Sequence, residues 1–513
     1  MAALLLTSCS RDGSTPPNST PGLRIIASPQ RTDSIRATSP QALVVEVRLP
    51  NGLAAVGVKV LFEAVQSDTA GGRQAGMSVC AVALPDCVLP FEAGEIASAQ
   101  TMADTDGEGR ARATVQYGWI AGRGVIRISV SALNLRDSVT YTVTPGAPFR
   151  LRAAVRDTIA IIGTVLPLRA TLEDRARNPI ANSSVNVAWR VSGQSSAIAF
   201  DSTSARASAL AFGTATVVAR SGQLSDSVIV RVVPRARWLV WSPEFGRVRL
   251  IDSDGASPTD ILTGVDTQIG VFPRFNPSRL LVTGLESGSY IGPTTVVESD
   301  SGGTTRRRLA EGMGFSVIMA PRLMADGSLF IVANRNTEPG FSAWRVDMNG
   351  VATRVAALPE FSVLRYGGAD ISPDGSRVAY VRSSPSGVIE LRVIDVATQA
   401  SRAVATAARG PRWSPDGLRL AYIDPISPND MFELRGRAML VTADGSNRIA
   451  LGQSVFQTGL AWSPDGAYLL GAVPEDFGGP ALRMIRLDDR AEVFLPMRSS
   501  NGNLLRYLQP DWR

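Results

Sequence analysis

The sequence predicts an all-β chain: two β-sandwiches followed by a six-bladed β-propeller closed by its C-terminal strand. Three observations carry this. A turn motif returns six times in the second half of the chain. Apolar residues alternate with polar ones at period two almost throughout, and Gly/Pro/Asn turns interrupt them every 8–12 residues or so. The first and last segments of the repeat region are complementary fragments of one unit.

The repeat is clearest at Arg412–Ile423 (RWSPDGLRLAYI), Ala461–Leu470 (AWSPDGAYLL) and Asp370–Tyr380 (DISPDGSRVAY). Weaker copies stand at Arg274 (RFNPSRLLVTG) and Arg322 (RLMADGSLFIV), and a shortened copy at Pro510-Asp511-Trp512-Arg513. The large apolar residues Phe275, Leu323, Ile371, Trp413, Trp462 and Trp512 are spaced by 48, 48, 42, 49 and 50 positions. Periods of this length mark propellers and related arrays, whose units bury an apolar face only by stacking on neighbours. In each copy Ser-Pro-Asp-Gly supplies a tight turn: proline presets φ, aspartate bonds nearby backbone and glycine takes positive φ. A period-two strand follows, then two further strand patterns, which makes four antiparallel strands per unit.

Residues 237–262 hold strands two to four of a unit with no first strand, and residues 504–512 hold a first strand with nothing after it. Their pairing would seal the ring and leave no open sheet edge. The repeat resembles the TolB-like, WD-repeat-type propeller family over about the last 280 residues, the region 235–513. That resemblance implies a propeller and an envelope setting. It does not carry a partner over, because function resides in sites placed on folds.

Composition narrows the chemistry. Histidine is absent from the 513 residues, which removes imidazole acid–base catalysis, Ser-His-Asp triads and HExxH zinc sites. No G-x-S-x-G elbow is present. The net charge of +6 is thin over this length, Lys59 is the only lysine, and nucleic acid is disfavoured as a partner. The run Arg306-Arg307-Arg308 reads as a solvated strand end.

Residues 1–22 read as a signal remnant and a polar tether. Leu6-Thr7-Ser8-Cys9 resembles the bacterial lipoprotein box, which implies lipidation at Cys9 and membrane attachment through that lipid alone. The apolar run before it is short and has no positive charge in front of it. Ser10–Gly22 is Pro-, Gly- and Ser-rich, as expected of a tether. No later stretch approaches the ~18 apolar residues of a membrane-crossing helix.

Residues 23–145 read as the first sandwich. Thr105-Asp106-Gly107-Glu108-Gly109-Arg110-Ala111 and the strands that follow resemble invasin-type bacterial immunoglobulin-like domains. Asp104, Asp106 and Glu108 read as hairpin-turn residues in preference to calcium ligands, because the rest of a calcium loop is missing. Cys80 and Cys87 read as a short disulfide loop, given export.

Residues 146–234 read as the second sandwich, with strands at Leu166–Leu172, Val185–Val191 (carrying Trp189 inward), Ala197–Asp201, Ala209–Val217 and Ser225–Val233. Its FGTATV stretch resembles the second group of bacterial immunoglobulin-like domains.

The tight turns lie on one face of the ring and the longer connections between strands two and three on the other. Binding groups favour such loops. Tyr290, Phe341, Met431, Phe432, Glu433, Glu475, Asp476 and Phe477 are the candidate partner-binding residues there, with ordinary loop variation as the plain alternative. No catalytic, cofactor or metal residues are assigned.

The expected function is a non-catalytic, exported, lipid-anchored binding or scaffold protein. Its sandwiches form a stalk, and its propeller binds an envelope protein or glycan at the outer membrane, in the periplasm or at the cell surface. A surface adhesin acting through the immunoglobulin-like domains is the first alternative. A propeller-based hydrolase or lyase is a weaker one.

Overall fold

The protein is represented by a computed structural model. The structure describes residues 21–512 except 38, 67–75, 82–98, 156, 182–186, 243–246, 257, 262–265, 272–278, 286–294, 301–303, 362–367, 384–388, 427–434, 458, 475–480 and 498–507. Strands dominate the described residues, and no helix among them is long and apolar enough to cross a membrane.

Contacts divide the chain into two compact units. One comprises Met1–Ala154, Arg169–Trp189 and Val218–Ser227, and the other Val155–Leu168, Arg190–Val217 and Val228–Arg513.

The first unit contains a β-sandwich. One sheet runs Gly22–Ala27, Leu43–Arg48, Arg110–Gln116, Ser78–Ala81. The other runs Thr32–Ser34, Leu135–Thr144, Gly122–Val130, Lys59–Val65, Gln100–Asp104. Alternation places Leu43, Val45 and Val47 of one sheet against Phe62, Ile126 and Ile128 of the other in a single core. Tyr117 meets Tyr141 edge-on at 6.0 Å. Asp106 works as a turn residue: its carboxylate accepts from the Glu108 and Arg110 amides, both at 2.9 Å, while Asp104 pairs with Lys59. Cys80 is disulfide-bonded; Cys87 lies outside the described residues.

Between residues 150 and 233 two expected strands are broken. Leu166–Leu172 divides into Val165–Pro167, which pairs with Arg206–Ala209, and Ala170–Glu173, which pairs with Arg150–Ala153. Pro167 cannot donate to a ladder, and the chain changes sheet just after it. Ala209–Val217 divides at Gly213, whose φ of 152° turns the chain out of Arg206–Ala209 and into Gly213–Ser221. Asp157–Ile161 runs parallel to Ile229–Val233. Trp189 is buried, as expected.

The remainder of the second unit forms six four-stranded antiparallel sheets. The second to sixth blades begin at Asp266, Phe315, Ala369, Arg409 and Leu460, with strands in chain order from the inside outward. The first blade differs: its order is Thr259–Asp260, Arg247–Asp252, Arg237–Ser242, Leu508–Trp512. Trp512 sits opposite Trp238, and Leu508 opposite Trp241. The C-terminal strand therefore completes the first blade.

Apolar packing closes the ring independently of strand order. A shared core joins each adjacent pair of blades: Leu239 with Leu280, Leu281 with Ile318, Val332 with Ile371, Leu391 with Trp413, Ile423 with Trp462, and Leu470 with Trp238. Phe212 joins the last of these cores and packs on Tyr468 at 5.2 Å, beneath Arg486.

Candidate functional site

The Ser-Pro-Asp-Gly turn is built the same way in the fourth, fifth and sixth blades. In the fifth, the Ser414 hydroxyl donates to Asp416 and accepts from the Arg419 amide at 2.9 Å. The Asp416 carboxylate accepts from the Leu418 amide, and the Gly417 amide donates to the Ser414 carbonyl. Ser372/Asp374 and Ser463/Asp465 repeat this pattern. Gly417 needs its glycine, since φ is 70°.

Burial raises the Asp416 and Asp374 carboxyls. The serine hydroxyls and following amides outweigh it and hold both below the ordinary carboxylate range. Asp326, bonded to Ser328 and Arg345, is lowered too. A depressed pKa gives stability that is present above the unfolded value and lost as pH falls through the folded one. The melting temperature should therefore hold level near neutrality and drop below about pH 4. Burial also pushes Tyr117 and Tyr422 up to about 12. Their contribution is complete below the unfolded value of about 10 and is lost above it, so unfolding should set in from about pH 10. Tyrosinate absorbance against pH checks this: all eight tyrosines ionising near 10 would refute the assignment.

Between blades, Asp370 ties three inner strands together. Its carboxylate accepts from Arg322 of the third blade at 3.0 Å and from the Trp413 amide of the fifth at 2.7 Å. Its carbonyl accepts from the Trp413 indole N–H at 3.2 Å. Trp462 repeats the indole contact onto the Arg412 carbonyl at 3.0 Å. Arg377 lies 4.8 Å over Trp413, and Arg419 5.4 Å over Trp462.

Of the candidate partner-binding residues, Phe341 is described. It is half-buried and leans on Phe361, with ring centroids 4.8 Å apart. Tyr290, Met431, Phe432, Glu433, Glu475, Asp476 and Phe477 lie outside the described residues, as does Cys9.

A charged cleft on the opposite, tight-turn face was not anticipated. Arg279, Glu298, Arg306 and Arg307 of the second blade and Leu323, Asp326, Gly327 and Met348 of the third line a cavity of about 570 Å3. Glu298 is buried, with its side chain 1% exposed, and takes Arg279 on one oxygen and Arg307 on the other. Arg307 is thus half of an ion pair and not part of a solvated strand end, while Arg308 pairs outside with Glu311. The sequence signal was the glutamate itself, which follows Val296 and Val297 in Thr295–Asp300, a strand buried at five of its six residues.

The strand order defines an all-β protein with a closed six-bladed propeller. No protein-family model matches the chain, and no curated protein does. Among solved structures it is similar to TolB from Acinetobacter baumannii, at 15% identity and TM-score 0.43, over 71% of this chain and 99% of that one. A putative TolB from Agrobacterium tumefaciens gives 14% and 0.36, over 53% and 98%. A DUF4784 family protein from Bacteroides caccae gives 9% and 0.34, over 71% and 99%. The propeller stands on its strand order and six shared cores.

Proposed function

We propose that the protein is an exported, lipid-anchored, non-catalytic scaffold whose propeller docks a partner in the cell envelope, with immunoglobulin-like sandwiches over 23–145 and 146–234 as its stalk. The observation that carries the docking reading is the commitment of the described propeller acids to structure. Asp326, Asp374, Asp416 and Asp465 hold turns, and Asp370 and Glu298 hold arginines. Acids engaged in this way are poor general acids or bases, whereas a rigid ring is a good platform for recognition. The disulfide at Cys80 favours an oxidising compartment and hence export.

Crosslinking in envelope fractions, followed by mass spectrometry, tests the docking reading. Crosslinks to a captured partner should map to residues 235–513. If they map to 23–234 instead, the protein is an adhesin acting through its sandwiches. Palmitate labelling that survives Cys9→Ala would sink the anchor.

A further inference from the structure

The cleft between the second and third blades breaks the repeat that surrounds it. In the third blade Ala343 pairs with Ala356 and Trp344 with Arg354, which leaves Val355 as a bulge. In the fourth Leu391 pairs with Ala405 and Arg392 with Ala403, which leaves Val404. The second blade keeps this geometry: Glu298 pairs with Arg307 and Ser299 with Thr305, and Arg306 is the extra residue. Along strand two, Arg279 falls at the position of Phe330 and Ala379.

Four positions that are apolar in both the third and fourth blades are thus Arg279, Glu298, Arg306 and Arg307 here. Seven of the eight counterparts, Phe330, Ala343, Ala356, Ala379, Leu391, Val404 and Ala405, are buried, and Val355 is half-buried. Exchanging a packed apolar patch for a buried carboxylate and three arginines gives up stability, because desolvating charge offsets most of what ion pairing returns. Departures of this kind concentrate at functional sites. A bulge next to a site commonly re-aims a side chain, and here the bulged residue is an exposed arginine.

The chemistry of the cleft specifies its ligand. Glu298 uses both oxygens to hold Arg279 and Arg307, whose side chains remain 37% and 34% exposed with further N–H donors. Arg306 has no ion-pair partner among the described residues. Asp326, the other carboxylate of the lining, is already engaged by Ser328 and Arg345. Three guanidiniums therefore face an open cavity whose own acids are occupied, and guanidinium forks match carboxylates. Met348, 70% exposed, adds an open apolar side chain to the lining. Methionine is enriched at protein interfaces, and no described lining residue offers an aromatic face for a sugar ring.

We propose that this cleft binds an acidic peptide segment of a partner protein, with carboxylates on Arg279, Arg306 and Arg307 and an adjacent apolar side chain on Met348. The proposal rests on the docking reading above and gives it a face, opposite the long connections, and a partner chemistry.

Fluorescence polarisation of the full chain with a fluorescein-labelled peptide of alternating glutamate and leucine tests it. Binding should saturate and weaken as salt rises. Arg306→Ala should weaken it about tenfold, the loss of one charge-assisted contact. Met348→Ser should weaken it by about threefold. Arg308→Ala, whose guanidinium already pairs with Glu311, should leave it unchanged. Absence of saturable binding, an Arg306→Ala protein that binds like the unaltered one, or displacement of the peptide by polygalacturonate at a lower carboxylate concentration would overturn it. If the peptide fails to bind while envelope crosslinks still map to 235–513, the cleft assignment is wrong and the docking reading stands.

Discussion

Trp512→Ala is expected to destabilise the propeller by about 3–5 kcal/mol, the range for emptying a core site of an aromatic ring. Trp512 is 7% exposed, lies 5.8 Å from Trp238 and stacks on Tyr468 at 6.0 Å. It belongs to the core between the sixth and first blades. At an ordinary blade boundary the lost contacts would leave a local void. At this seam the C-terminal strand is joined to the first blade only by strand pairing and packing, so the void also weakens closure. Urea unfolding followed by tryptophan fluorescence should show an earlier midpoint, and limited proteolysis should cut near residue 508 first. A loss below about 1 kcal/mol would mean that the seam is held elsewhere.

Asp370→Ala is expected to cost a similar amount, about 3–5 kcal/mol, for a different reason. The substitution leaves the guanidinium of Arg322, whose side chain is 15% exposed, without its carboxylate, and the buried Trp413 amide without its acceptor. Breaking one half of a buried pair costs more than the pair contributes. The double variant Arg322→Met, Asp370→Ala should recover part of the loss, because it removes the stranded cation. Thermal unfolding of the two singles and the double forms the cycle that reads this. If the double variant is no more stable than Asp370→Ala alone, the cost lies in the Trp413 amide and not in the ion pair.

The propeller was legible because its grammar is local. Ser414, Pro415, Asp416 and Gly417 specify their turn within four residues, and the copies at 372–375 and 463–466 make the period visible. The closure was legible for a related reason: a strand without a blade and a blade without a strand can be seen in the sequence alone. Other features depended on three-dimensional context. Leu166–Leu172 alternates as one strand should, yet Pro167 splits it between two sheets. Ala209–Val217 also looks continuous until Gly213 turns it. The cleft was hidden most thoroughly. Arg306-Arg307-Arg308 reads as a charge run, and only the bulge opposite Glu298 and Ser299 separates an arginine tied inside from its neighbours.

Trp238 and Trp512 meet across about 270 residues of intervening chain, a loop whose closure costs entropy before any contact repays it. Local hairpins within each blade carry no such delay. Refolding should therefore have a slow final phase in which fluorescence from these two indoles changes after backbone circular dichroism has settled. An intermediate caught in that interval carries an unpaired first blade, the exposed edge most prone to pair with another copy and aggregate.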